Sequence, residues 1–359
     1  MDLNNFPVFK TKLEGSPRFD LNDPKSRREY FDLKMGAELK LIKKHLDEGK
    51  TFVAFLLGKK NSGKGTYSKL FMEAVGASNV GHLSVGDIVR DAHHLVETPE
   101  GQKELVEFIK NNYRGFHSPE ETIDLILGRS QSKLVSSELI LTLIKYEISK
   151  RPKQAIFIDG FPRAMDQVSY ALFLKEIIGY REDPDFLVFI SLPNTVINER
   201  IKYRVICPLC KTPRNLKLMA TKDAGYDEST KEFYLKCDNP VCASARMVPK
   251  EGDNLGIDPI RERLEMDDKI MQQLLGLHGI PKIYLRNAIP VEEGEASVND
   301  YEITPGYDYE MGEGGKVIVK ESRWTIKDDA GVDSYSLLPP PIVVSLVKQM
   351  VKVLGLDKE

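Results

Sequence analysis

A seven-residue apolar run, Thr51-Phe52-Val53-Ala54-Phe55-Leu56-Leu57, leads straight into Gly58-Lys59-Lys60-Asn61-Ser62-Gly63-Lys64-Gly65-Thr66. The run has the length and composition of a buried strand. Tyr67 to Val75 reads as the opening of a helix. Strand, glycine-bearing turn and helix is the context in which a GxxxxGK motif cradles phosphate. Its glycines let backbone N–H groups turn inward, and the helix N-terminus contributes partial positive charge. Lys64 adds a full charge. Gly65 stands where most such loops carry Ser or Thr, so the hydroxyl arrives one residue later, at Thr66. A polyphosphate ligand is the expectation, held by Gly58, Ser62, Gly63, Lys64, Gly65 and Thr66.

Beyond this loop, strands and helices alternate. Ala155-Ile156-Phe157-Ile158 and Phe186-Leu187-Val188-Phe189-Ile190 are further buried-strand candidates, with helical patterns at about 136–150 and 166–179. Alternation of this kind predicts a parallel sheet covered on both faces, with ligands at the carboxyl ends of its strands. Asp159-Gly160-Phe161-Pro162-Arg163 and the arginines after Asn194 would then share a cleft with the loop. Residues 1–23 read as an extended arm. Pro24 opens a helix to about Asp47, with Tyr30, Leu33, Met35, Leu39, Ile42 and Leu46 as its apolar face, ended by Gly49. That helix is expected to pack on the next domain rather than to bind a partner. Residues 287–320, acidic and glycine-rich, are assigned to surface loops or a hairpin ending in the short strand Lys316-Val317-Ile318-Val319-Lys320; Pro341 to Leu354 reads as a helix closing the core.

The chain has 359 residues, 41% hydrophobic and 29% charged, ordinary for a soluble globular protein. A formal net charge of −3 gives no electrostatic case for nucleic acid. No apolar run approaches the roughly 20 residues that span a bilayer. Met1-Asp2-Leu3-Asn4-Asn5 lacks the basic region and apolar core of a signal peptide, so cytoplasmic residence, with no membrane partner, is the default expectation. Nothing requires more than a monomer. The four cysteines form two knuckles, Cys207-Pro208-Leu209-Cys210 and Cys237-Asp238-Asn239-Pro240-Val241-Cys242, separated by 26 residues. Paired knuckles suit a closed tetrahedral zinc site, with reduced thiols or a disulfide as the other readings.

With the loop, Asp159-Gly160-Phe161-Pro162-Arg163 followed by Gln167, and the pair Arg200/Arg204 in view, the chain resembles the adenylate kinase family of nucleoside monophosphate kinases over about residues 51–285 and the final helix. The resemblance implies an α/β fold: a P-loop NTPase-like parallel sheet of about five strands with helices on both faces, an inserted acceptor-binding lobe and a small cysteine-rich lid. It divides the chain into an arm and helix at 1–50, a core at 51–83, 136–206 and 255–359, an enlarged monophosphate lobe at 84–135 and a zinc-type lid at 207–254. ATP and AMP are the implied substrates, with magnesium accompanying ATP and structural zinc in the lid.

Residue by residue, the resemblance makes Lys64, Arg163, Arg200, Arg204 and Arg263 the catalytic cations. Arginine suits phosphoryl transfer because its planar fork binds phosphate oxygens in two places and keeps its charge. Arg200 also matches a donor-nucleotide contact. Arg200 and Arg204, four apart, are expected to share one helical face. Ser84, Val85, Arg90, Val135, Gly160, Arg163 and Gln167 match the AMP side, with Gln167 reading the adenine edge. Thr66, Asp87 and Asp159 match positions that hold magnesium directly or through water. There are departures. Val85 replaces the usual Thr, as in pyrimidine monophosphate kinases, whereas Gln167 favours AMP. Lys60-Asn61-Ser62 is more basic and less glycine-rich than the usual loop. Lys133-Leu134-Val135 resembles the segment leading back to the core, beyond an enlarged stretch from Thr98 to Ser130. The lid arginine of an Arg-x-Asp-Asp stretch is missing, replaced by Lys250 or supplied by Arg246. A kinase for UMP/CMP or GMP is the nearest alternative, and a non-catalytic nucleotide-binding regulatory protein the other.

Overall fold

β1 (Val53–Gly58) is the middle strand of a five-stranded, all-parallel sheet. β2 (Val80–Ser84) and β3 (Ala155–Asp159) lie on one side of it, and β4 (Asp185–Ser191) and β5 (Lys282–Arg286) on the other, in the order β2-β3-β1-β4-β5. The computed structural model describes residues 6–128 and 135–357. Met1 to Asn5, Ser130 and the pair Lys133-Leu134 lie outside the described residues. The sheet is the expected α/β architecture.

α1 (Pro24–Asp47) precedes β1 and α2 (Lys64–Val75) follows it. Between β2 and β3 come α3 (Val85–Leu95), α4 (Pro99–Asn112), α5 (Pro119–Ile126) and α6 (Ser137–Ser149). α7 (Gln167–Ile177) joins β3 to β4, and α8 (Asn194–Lys202) and α9 (Arg261–Leu275) lie between β4 and β5. α10 (Val291–Ser297) and α11 (Pro339–Val353) follow β5. Side chains alternate across a strand. Phe52, Ala54 and Leu56 therefore enter one core with residues of α1, α2 and α11, while Val53, Phe55 and Leu57 enter a second with α3–α7 and α9. Cover on both faces is why β1, β3 and β4 read as unbroken apolar runs. β2 and β5 are edges, half-exposed at alternate residues of β5, and neither showed a continuous run.

α1 begins where Asp23 accepts a hydrogen bond from Ser26 N at 2.7 Å and Pro24 occupies the first turn. Its buried face is Tyr30, Phe31, Met35, Leu39, Ile42 and Leu46, docked on α11 and α2. Leu33, expected on that face, is exposed. Met35 leaves helical geometry at φ −150°, and this kink accounts for the irregular spacing. The arm is anchored by Phe6, fully buried against the rings of Phe189 and Tyr284.

Two smaller units leave the sheet. In one, the strand Arg204–Ile206 pairs with Pro213–Asn215 and Val248–Pro249, beside a hairpin of Ala224–Asp227 and Glu232–Leu235, around a core of Val205, Leu235, Met247 and the cysteines. The other spans residues 287–338. It contains the hairpin of Pro305–Met311 and Val317–Arg323, the latter overlapping the expected short strand from Val317 to Lys320. The segment is more than surface, because Ile289, Val298, Ile303, Tyr335 and Leu337 belong to the α1–α11 core. No helix among the described residues is long and apolar enough to cross a membrane.

Candidate functional site

The strand register sets the site. Leu56 pairs with Asp159, Ser84 with Asp159 and Gly58 with Ile190, so the carboxyl ends of β1, β2, β3 and β4 open at one edge. The loop after β1 lies there, and Gly63 is a position only glycine fills. Its φ is 101°, and a Cβ would meet Tyr67 Cζ at 2.7 Å. Lys64 opens α2, and its ammonium donates to Gly58 O at 2.7 Å and Lys59 O at 2.9 Å, with Asp159 Oδ1 at 3.8 Å.

Two cavities meet at Asn61, Lys64 and Asp159. The smaller, about 170 Å³, is bounded by Gly58, Lys60, Gly160, Arg163, Arg263 and Asp267 besides these three. The larger, about 500 Å³, carries Ser62, Gly63, Gly65, Thr66, Arg200 and Arg204, with Thr304, Leu337, Leu338 and Pro339 as its far wall. A third cavity, about 690 Å³, lies between the arm, the cysteine module and the 305–323 hairpin. It holds no residue of the phosphate loop, so the chemistry is placed in the first two.

Electrostatics single out the same place. Burial pushes Lys64 below its usual pKa, opposed by Asp159 and Asp267; burial and then Arg263 do the same to Arg163, and burial and then Lys250 to Lys60. Crowded, desolvated cations favour a multiply charged anion among them. Ser62 Oγ, Asn61 Nδ2 and Arg163 Nε are buried without a hydrogen-bond partner. Buried polar groups ordinarily find partners, and two orphans on the loop with a third on Arg163, after β3, fit a ligand whose oxygens complete them.

The remaining residues distribute as follows. Arg200 lies in the last turn of α8, but the helix ends at Lys202, and Arg204 opens the strand Arg204–Ile206. The expected shared helical face is therefore replaced by a helix-to-strand corner, from which both arginines still reach the larger cavity. Asp253 holds Arg204 in a two-pronged pair at 2.6 and 2.7 Å. Arg163 and Arg90 converge on Gly86, where a Cβ would meet Arg163 Nη2 at 3.2 Å and Arg90 Nη1 at 3.8 Å. Gly160, at φ 82°, leaves room for the Arg163 guanidinium, which a Cβ would meet at 2.4 Å. Ser84 caps α3, accepting from Asp87 N at 3.4 Å, and Val85 is buried beside it. Asp87 pairs with Arg90 and borders neither phosphate-loop cavity. Val135 is half-buried against the α3–α7 core. The Gln167 amide is engaged within the protein, accepting from Arg163 N at 2.8 Å and donating to Ser137 Oγ at 3.2 Å.

Asp267 was missed by the sequence reading. Its carboxylate accepts from Arg263 Nε at 3.0 Å and from Lys60 N at 3.1 Å, tying α9 to the loop. The signal was available, since Arg263 and Asp267 are one helical turn apart. Asn287 and Ser336 left no such signal, being remote in sequence from the arginine they touch. Of the two candidates for the missing arginine, Arg246 pairs with Asp227 and covers the Tyr234 ring, whereas Lys250 is among the cations acting on Lys60.

Thr66 and Asp159, a hydroxyl and a carboxylate on the larger cavity, form an oxygen donor set of the kind magnesium takes. In the cysteine module the four sulfurs lie within 4.8 Å of one another, and Cys210 Sγ is 3.7 Å from Cys237 Sγ. A disulfide is about 2.05 Å. A tetrahedron of thiolates at about 2.3 Å from zinc has edges of about 3.8 Å. The cluster is compatible with zinc. Hydrogen bonding with Thr212 lowers the Cys210 thiol to about 6, whereas burial and the neighbouring thiols push Cys242 up to about 12, so the support for a metal lies in the sulfur geometry.

No family model matches the chain. Curated relatives do. Adenylate kinase of Solanum tuberosum is 28% identical over 222 residues, 61% of this chain and 65% of that protein, so the match spans just under two thirds of its length. Adenylate kinase of Bacillus subtilis (strain 168) is 27% identical over 248 residues, 68% of this chain and 92% of that protein. The mitochondrial GTP:AMP phosphotransferase of Drosophila melanogaster is 24% identical over 226 residues, 63% of this chain and 83% of that protein. Concordant matches of this length, joined to a five-stranded parallel sheet that carries a phosphate loop at its carboxyl edge, point the same way: the chain is similar to the adenylate kinases over about three fifths of its length.

Proposed function

We propose that the protein catalyses reversible, magnesium-dependent transfer of the γ-phosphoryl group of ATP to AMP, giving two ADP. One observation carries the reading. Two cavities, one lined by Arg200 and Arg204 and the other by Arg163 and Arg263, meet at Lys64 and Asp159. Such a layout suits a donor and an acceptor approaching one point from opposite sides. The names of the relatives support AMP as acceptor.

In the proposed step an α-phosphate oxygen of AMP attacks the γ-phosphorus in line. The bond to the β,γ-bridging oxygen breaks, and that oxygen leaves with ADP. No covalent enzyme intermediate is needed. Lys64 and the loop N–H groups hold the donor phosphates, and Arg163, Arg200, Arg204 and Arg263 balance charge on the transferred group. Thr66 and Asp159 would hold the magnesium that accompanies ATP, directly or through water, and the ion would add charge neutralisation when bound. Residues 207–254 act as a lid that excludes water on closing, kept folded by zinc on Cys207, Cys210, Cys237 and Cys242. Residues 84–135 form the acceptor lobe, with Arg90 and Arg163 on the AMP phosphate.

Lys64→Met tests the assignment. Turnover is expected to fall at least about 100-fold with thermal stability unchanged; near-normal turnover in a folded variant would remove the loop from the chemistry. A second reading, a kinase for another monophosphate, is favoured by buried Val85 and by the engagement of Gln167 with Arg163 N and Ser137. A panel of monophosphate acceptors separates the two.

A further inference from the structure

We infer that the segment from Asn287 to Leu338 is a brace that fixes Arg200 over the donor cavity, with Asn287 and Ser336 as its positioning residues. The inference rests on the reading of the larger cavity as the donor site. Three attachments join the segment to α8, the helix that carries Arg200. At the start of α8, Pro193 in the cap position supplies no side-chain acceptor. Asp329 takes its place, accepting from Asn194 N at 2.8 Å and Thr195 N at 3.2 Å. Along its side, Leu192, Val196, Ile197 and Ile201 pack against Trp324 and Ile326. At its end, Arg200 Nη2 donates to Asn287 Oδ1 at 3.2 Å and to Ser336 Oγ at 3.3 Å.

The last contact is built to hold one geometry. Asn287 and Ser336 are both fully buried. Ser336 Oγ donates to Asn287 Oδ1 at 2.7 Å, while Asn287 Nδ2 donates to Tyr67 OH at 3.1 Å and to Leu337 O at 2.9 Å. Every hydrogen-bonding position of the Asn287 amide is used, so it cannot turn without stranding a buried group. Tyr67 belongs to α2, one turn after Lys64, and the network therefore ties Arg200 to the loop helix. A long, flexible guanidinium is thus held in place before the ligand arrives. Leu337 and Leu338 of the same segment line the donor cavity.

The test uses the full-length protein and a non-hydrolysable ATP analogue, with binding by calorimetry and steady-state KM for both nucleotides. Ser336→Ala is expected to weaken analogue binding and raise the donor KM about tenfold, leaving the acceptor KM unchanged. Asp329→Ala, at an exposed residue, should weaken the donor side about threefold. In an Arg200→Ala background both effects should vanish, because each acts through Arg200. Equal weakening with and without Arg200, or parallel shifts in donor and acceptor KM, would overturn the brace. Wild-type protein that fails to bind the analogue would overturn the donor-site reading and this inference with it. Wild-type binding left intact by Ser336→Ala and by Asp329→Ala would overturn the brace alone.

Discussion

Asn61 adopts φ 67° inside the phosphate loop, the left-handed region that Asn tolerates better than most residues. The loop thus keeps glycine-like geometry without the glycine, a point invisible until the backbone is known. The two lysines that follow Gly58 differ in role. Lys59 is buried, donating to Asn194 Oδ1 at 2.9 Å and pairing with Asp268 at 3.2 Å, so its charge anchors the loop. Lys60 is exposed, on the cation-rich side of the cleft. The motif residues Gly58, Gly63, Lys64, Asp159 and Arg163 were legible because short spacing and local geometry define them. Asp267, Asn287 and Ser336 were not, since their roles arise from long-range contact. The same holds for Glu302, fully buried, which pairs with Lys34 at 3.3 Å and accepts from Tyr30 OH at 2.5 Å and Thr11 Oγ1 at 2.9 Å. Glu302→Ala would strand the Lys34 charge in the core and should cost about 3–5 kcal/mol in denaturant unfolding. A loss below about 1 kcal/mol would mean that the pair is dispensable.

Among the elements, β1, β3 and β4 could be read from composition, whereas the edge strands β2 and β5 could not. α1 could be bounded because Asp23, Pro24 and Gly49 mark its ends, although its buried face was partly misjudged at Leu33. Its packing on α2 and α11 leads to a clear expectation. A chain starting at residue 51 would expose Phe71 and the apolar face of α11, and should be recovered aggregated or unfolded. A soluble truncation with native far-UV circular dichroism would show α1 to be an accessory. For the cysteine module, purified protein should contain zinc in equimolar amount by elemental analysis. Cys242→Ser should abolish zinc retention and make residues 207–254 sensitive to protease while the sheet core resists. Metal-free protein with a protease-resistant module would contradict the zinc reading.

Across the whole molecule, the 305–323 hairpin links the cysteine module to the core. Tyr309 OH donates to Leu216 O at 2.5 Å, the Tyr309 ring stacks on Phe233 at 5.7 Å, and Tyr307 N donates to Lys217 O at 2.8 Å. The longer segment from Asn287 to Leu338, of which this hairpin is part, therefore touches the wall of the larger cavity, the Arg200 helix and the module. Tyr309→Ala removes a hydrogen bond and an aromatic pair, together about 1.5–3 kcal/mol, and should speed amide exchange across residues 204–249. Unchanged exchange would show that the hairpin does not restrain the module. The central claim concerns transfer between two nucleotides, and its most direct measurement is ADP formation from Mg-ATP with a panel of nucleoside monophosphates. The account predicts fastest turnover with AMP, two ADP formed per ATP consumed, and loss of activity in Lys64→Met. Nucleotide binding without ADP formation, or a preferred acceptor other than AMP, would contradict it.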